Sequence, residues 1–198
     1  SHGSGTIGKS FPGKIPSRAF FSRSTILRKK RLVGEAKKIF TGSPIGGTEG
    51  PHLYRHNGYY YLMCAEGGTG WFHAVTLARS RELTGPYEIC PHNPVLTSWE
   101  GSRDPKEIEK ALAKKDLGTS FLKKAGHASL WKGLTIAGSG SSLRQNLPGM
   151  LYCPLGRETA IQEVVWEKGW LKLKDGAVLQ KTPSGPSEIR MRKRRESH

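Results

Sequence analysis

Gly47-Thr48-Glu49-Gly50-Pro51-His52-Leu53-Tyr54-Arg55-His56-Asn57-Gly58-Tyr59-Tyr60-Tyr61-Leu62-Met63-Cys64 reads as two strands folded back across a tight turn. Asn-Gly between strand-like runs is the strongest short hairpin signal, because both central turn residues need a positive φ. The return run Tyr59–Cys64 is rich in aromatics, which suits a pleated, half-buried surface. Upstream, Lys38-Ile39-Phe40 ends a strand before the Gly42-Ser43-Pro44 punctuation. Downstream, the loop Gly67-Gly68-Thr69-Gly70 leads to a strand over 73–80, and Gly85-Pro86 turns into Tyr87-Glu88. Ala128-Ser129-Leu130-Trp131, the run 161–166 and Trp170-Leu171-Lys172-Leu173 continue the series, the last two across a Lys168-Gly169 turn. Short strands spaced by roughly 8–12 residues indicate a barrel, sandwich or propeller. One helix is expected, over 105–117, with Pro105 at its first position and Ile108, Ala111 and Leu112 on one face. No clean internal repeat is visible.

The chain of 198 residues suits one domain, and its 25 glycines fit a turn-rich β protein. No stretch approaches the ~20 apolar residues of a membrane span, and no apolar leader is visible at the N-terminus. A cytoplasmic location is therefore expected. Cys64, Cys90 and Cys153 form no C-x-x-C pair, so buried thiols in a reducing compartment are expected rather than a disulfide scaffold or zinc site. The net charge of +16 is unevenly spread. Residues 1–34 hold eight Lys or Arg and no acid, and 181–198 carry +4, whereas 35–105 total −1. A domain that binds nucleic acid over its whole surface would not segregate charge this way.

The tightest chemical cluster is Gly46-Gly47-Thr48-Glu49-Gly50-Pro51-His52-Leu53-Tyr54. A carboxylate fixed between glycines and a proline, beside apolar and aromatic groups, has the setting that keeps a general acid protonated. An ordinary turn glutamate is the plainer alternative. The stretch 47–54, with Gly58–Leu62 after it, resembles the general-acid segment of glycoside hydrolase family 43. The resemblance continues through Ala65-Glu66-Gly67-Gly68-Thr69-Gly70, the run 73–80, Leu83-Thr84-Gly85-Pro86-Tyr87-Glu88 and Asn93–Thr97. It resumes at Gly126-His127-Ala128-Ser129-Leu130 and at Leu155-Gly156-Arg157-Glu158-Thr159 through Trp166, closest to the β-xylosidase branch.

This resemblance implies an all-β fold, part of a five-bladed β-propeller (about three blades). The implied division is an irregular basic segment over 1–31, a partial propeller over 32–180 and a basic tail over 181–198. It also implies an inverting glycosidase acting on terminal xylose or arabinose, with an acid and a base about 6.5–9.5 Å apart. Glu49 takes the place of the acid. Arg157 takes that of a sugar-binding arginine, a role suited to its fixed fork of donors. His127 falls where a histidine sits near substrate or an axial metal, and Thr69 and Phe72 are expected to bind substrate as well. No cofactor is implied, although the family leaves room for a calcium ion on the axis near His127. A xylo- or arabino-oligosaccharide is the expected partner, with no specific nucleic acid and no membrane; the oligomeric state is left open.

The departures are specific. The family's base and a second, orienting Asp precede the acid, yet residues 1–48 contain no Asp. Full catalysis is therefore expected to fail in this chain alone. Phe21-Ser22-Arg23-Ser24-Thr25-Ile26-Leu27-Arg28-Lys29 can be back-translated so that another frame gives Phe-Gln-Glu-Tyr-Asp-Pro-Glu-Lys, which is family-like. Gly140-Ser141-Ser142-Leu143-Arg144-Gln145 likewise gives Ala-His-Leu-Cys-Ala-Arg. A reading frame carrying shifts is the expectation.

Other readings carry less. Gly3–Ser10 fits the phosphate-loop pattern, but Pro12 and Pro16 break the helix that must follow it. The basic ends, including Arg190-Met191-Arg192-Lys193-Arg194-Arg195, would bind nucleic acid or anionic lipid weakly and with strong salt dependence. A catalytically dead sugar-binding remnant, with Trp71, Phe72 and Trp99 stacking on a pentose, is a further alternative.

Overall fold

In a computed structural model, the structure describes residues 19–26, 31–114, 122–131, 135–142, 156–174 and 176. Strands β3 (Glu49–His56) and β4 (Tyr59–Glu66) form the expected hairpin, with His56 opposite Tyr59. Asn57 and Gly58 close it at φ of 45° and 77°, the left-handed pair that such a turn demands. Strand β5 (Ala74–Ser80) pairs along the far side of β4. Two short strands, β6 (Glu88–Ile89) and β7 (Leu96–Thr97), complete the sheet on β5. β4 is buried from Tyr61 through Glu66, as a central strand covered on both faces must be.

A second sheet is a four-stranded antiparallel meander. Its strands are β8 (Leu122–Trp131), β9 (Thr135–Ser142), β10 (Glu158–Glu167) and β11 (Trp170–Leu173), in that spatial order. Sheets of this kind are the blades of β-propellers. Tyr61, Met63, Val75 and Leu77 of the first sheet pack on Leu122, Val164, Trp170 and Leu171 of the second, forming one core between them. A polar junction reinforces it. The Arg79 guanidinium lies 4.0 Å over the Trp170 ring and 4.8 Å over Tyr59. Arg79 Nη1 and the Tyr61 hydroxyl both donate to the Gly169 carbonyl, at 2.7 Å each.

Strand β1 (Phe20–Ile26) pairs with β2 (Arg31–Phe40) in a separate two-stranded sheet. Within the segment 1–31, expected to be irregular, residues 20–26 are thus a strand, while 1–18 and 27–30 lie outside the described residues. Phe20 lies across from Phe40, and the partner strand supplies the backbone hydrogen bonds that local composition could not announce. Phe20, Ile39 and Tyr87 pack around a small core of Phe40, Leu62, Cys64 and Ala78.

The helix α1 (Pro105–Ala113) starts where expected and ends earlier than residue 117, with Lys114 as its C-cap. The Asp104 carboxylate accepts from the N–H groups of Lys106 and Glu107, at 2.9 and 3.4 Å. Ile108 then packs with Trp99. Cys64 and Cys90 are buried free thiols, and burial pushes both pKa values up. Cys153, the Gly3–Ser10 pattern, the stretch 143–145 and the tail over 181–198 lie outside the described residues. No helix among the described residues is long and apolar enough to cross a membrane.

Candidate functional site

Glu49 opens β3, the first strand of its sheet, and is paired with Ala65. The register slips by one residue between Glu49 and His52. The local chemistry explains the bulge: Gly50 sits at φ 54°, and Pro51 has no N–H for the ladder. Such a bulge turns the side chain beside it away from regular alternation. Glu49 is half-buried there.

The first strands of the two sheets meet at this point. A Cβ on Gly50 would stand 2.6 Å from His127 Nε2, so the bare glycine lets the imidazole lie against the backbone of β3. Two residues on, the His52 and Ser129 side chains approach to 3.5 Å. Two further on, the Tyr54 hydroxyl accepts from the Leu130 N–H at 2.8 Å. β8 is itself irregular here. Its register shifts on either side of Gly126, and Lys124 and His127 adopt φ of 56° and 50°, uncommon for residues with a side chain. Strained backbone of this kind clusters at functional sites.

A residue that the sequence reading did not single out lies under this junction. His73 is fully buried, with its ring against Gly126, where an added Cβ would fall 2.5 Å from the ring. Nδ1 is 3.2 Å from the Lys124 carbonyl. A proton on Nδ1 donates to that oxygen and leaves Nε2 as a lone pair; among the described residues Nε2 has no hydrogen-bond partner. Burial pushes the His73 pKa down, the Lys124 carbonyl pulls it up, Arg157 and His127 reinforce burial, and Glu49 opposes it. His73 therefore senses the charges of three residues drawn from β3, β8 and the stretch before β10. Its signal in the sequence was slight: one histidine heading an apolar run.

The remaining candidates divide. Exposed Arg157 donates from Nη2 to the Thr69 carbonyl at 2.9 Å, which ties it to the Gly67–Gly70 loop. Thr69 is exposed on that loop. The Phe72 ring instead packs edge-on against Trp99, centroids 4.8 Å apart, and its carbonyl accepts from Arg103 at 3.0 Å. Trp99 is buried in that cluster and is not offered to a sugar. Lys124 Nζ lies 4.6 Å over the Trp71 ring. A surface pocket lined by His92, Val95, Lys172, Leu173 and Gly176 shares no residue with the Glu49 group.

The profile of Glycosyl hydrolases family 43 matches residues 25–171. The chain belongs to that family. Among curated relatives of this family 43 chain, a beta-xylosidase of Bacillus subtilis (strain 168) is 39% identical over 177 residues, 82% of this chain and 30% of the relative. A xylosidase/arabinosidase 43B of Humicola insolens is 42% identical, over 75% of this chain and 25% of its own length. A crystal structure of xylan beta-1,4-xylosidase from Bacillus halodurans C-125 superposes with a TM-score of 0.64 at 38% identity, covering 84% of this chain and 30% of that one. The family 43 chain is part of a five-bladed β-propeller and spans less than a third of each of these relatives.

Calcium takes about 6–8 oxygen ligands. Among the described residues no group of three or more His, Cys, Asp or Glu could hold a metal ion.

Proposed function

We propose that this chain carries the proton-donating side of an inverting glycosidase that removes terminal xylose or arabinose from oligosaccharides. Glu49 is the general acid. The observation that carries this reading is the junction at Gly50: a bulged Glu49 held where the first strands of two blades meet, with His127 against its backbone. Arg157 and His127 would hold sugar hydroxyls beside the scissile bond, with Arg157 braced by the Thr69 carbonyl. Protonation of the leaving oxygen by Glu49 needs no cofactor. The relatives whose names include xylosidase or arabinosidase support the choice of pentoses.

The test is hydrolysis of xylobiose and arabinobiose, whose leaving groups need a proton, by the chain and by Glu49→Ala. The expected result is a turnover about 10²–10⁴-fold lower in the variant, the span typical of a lost acid or base. Measurable turnover that is equal in both proteins rejects Glu49 as the acid.

A second reading is sugar binding without turnover, with exposed Arg157, braced on the Thr69 carbonyl, as the holding group. It predicts that xylose binding measured by calorimetry survives Glu49→Ala and is lost in Arg157→Ala.

A further inference from the structure

Glu66 ends β4, one residue after Ala65, the strand partner of Glu49. Its side chain is fully buried. Such a carboxylate is costly unless hydrogen-bond donors surround it, and here the donors all come from one loop. Oε1 accepts from the Ser43 N–H and from the Thr48 hydroxyl, at 2.8 Å each. Oε2 accepts from the Ser43 hydroxyl. The Ser43 oxygens pass the constraint inward: its hydroxyl accepts from the Ile45 N–H and its carbonyl from the Gly46 N–H, both at 3.2 Å. The Gly67 N–H closes the ring by donating to the Gly46 carbonyl at 2.8 Å. Gly42 completes the packing, since a Cβ there would fall 1.9 Å from Thr48 Oγ1 and 3.0 Å from Glu66 Oε1.

One carboxylate thus holds both ends of the 43–48 loop. The last residue it holds, Thr48, is fully buried and precedes Glu49 directly. We propose that Glu66 is a positioning residue for Glu49: it anchors Thr48 and so sets where the backbone delivers the Glu49 carboxyl. This rests on Glu49 being the general acid. The choice of residue follows from the donor count. The Ser43 N–H can only donate, and a carboxylate accepts from it and from the two hydroxyls through both of its oxygens. Glutamine would turn an NH₂ toward those donors. Displacing a catalytic group by about 1 Å costs on the order of 10²-fold in rate.

The test compares Glu66→Gln, Thr48→Val, Thr48→Ser and Glu49→Gln on two substrates. One is p-nitrophenyl β-D-xyloside, whose leaving group departs with little help, and the other is xylobiose, which needs a proton. Thr48→Val is the milder change and guards against misfolding of Glu66→Gln. The expected result is that Glu66→Gln and Thr48→Val lose about tenfold more kcat on xylobiose than on the aryl glycoside, with KM little changed. Thr48→Ser, which restores the hydroxyl, recovers the loss. Equal losses on both substrates, a loss confined to KM, or no recovery by serine would overturn the proposal. A flat leaving-group response in Glu49→Gln itself rejects the acid assignment instead, and the proposal falls with it. If the parent chain turns over neither substrate, amide exchange decides. Faster exchange confined to residues 43–50 in Thr48→Val and Glu66→Gln supports the anchor. A change spread evenly over β4 and β5, or none, overturns it.

Discussion

Burial pushes the His73 imidazole pKa below its usual value of 6.5, and the result is a dependence of folding on acid. The unfolded chain begins to take up a proton on this side chain as pH falls through 6.5, while the folded chain resists until a lower pH. Stability contributed by neutral His73 is therefore complete above that value and is lost progressively below it. One such group gives a slope of at most about 1.4 kcal/mol per pH unit. Urea unfolding of the parent chain should weaken between pH 7 and pH 5, and His73→Gln should flatten that part of the profile. Parallel profiles would show that His73 protonates equally in both states. The same residue scale separates the candidates around Glu49. The glycines and the proline flanking Glu49 marked a fixed carboxylate in the sequence, while the bulge at Gly50 and Pro51 came from the structure. His73 was not marked in this way, because a histidine at the head of an apolar strand looks the same whether it is core filler or part of a site.

At the scale of elements, α1 and the β3–β4 hairpin were readable for the same reason. Asp104 caps α1 with its own side chain, and Asn57-Gly58 accepts the turn geometry without help from elsewhere. Asp104→Ala should cost about 1 kcal/mol, the usual value of such a cap. A thermal melt that follows this region, for instance through Trp99 fluorescence, checks it; an unchanged midpoint would mean that packing of Ile108 on Trp99, not the cap, holds the helix. The strands that escaped a sequence reading are the counter-case. β9 reads Thr-Ile-Ala-Gly-Ser-Gly-Ser-Ser, and its small residues carry no period-2 signal. It exists because β8 and β10 flank it and fill its ladder on both sides. β1 depends on β2 in the same way.

Across the whole molecule, the junction around Gly169 is one of the places where polar contacts fasten the two sheets. Tyr61 and Arg79 donate to one carbonyl, and the Arg79 guanidinium lies over the rings of both Tyr59 and Trp170. Groups that share an acceptor do not act independently. Tyr61→Phe and Arg79→Ala should each destabilise the chain, and the double variant should differ from the sum by about 0.5–3 kcal/mol. Additive effects in denaturant titrations would show that the two donors work separately. Burial of Leu171 and Trp170 against Met63 and Leu77 supplies the nonpolar part of the same interface.

Local chemistry written in the sequence determined the hairpin, the helix start at Pro105 and, through resemblance, the family and the proposal of Glu49 as the acid. Each depends on residues a few positions apart, whose backbone preferences act before any tertiary contact forms. Only the tertiary structure decided which groups gather at the Gly50 bulge. His73 reaches Lys124 across 51 positions, Arg157 reaches Thr69 across 88, and Glu66 reaches back to Ser43 across 23. No local preference encodes such pairings. They arise when two sheets bury a common core and the first strand of one is pressed against the first strand of the other.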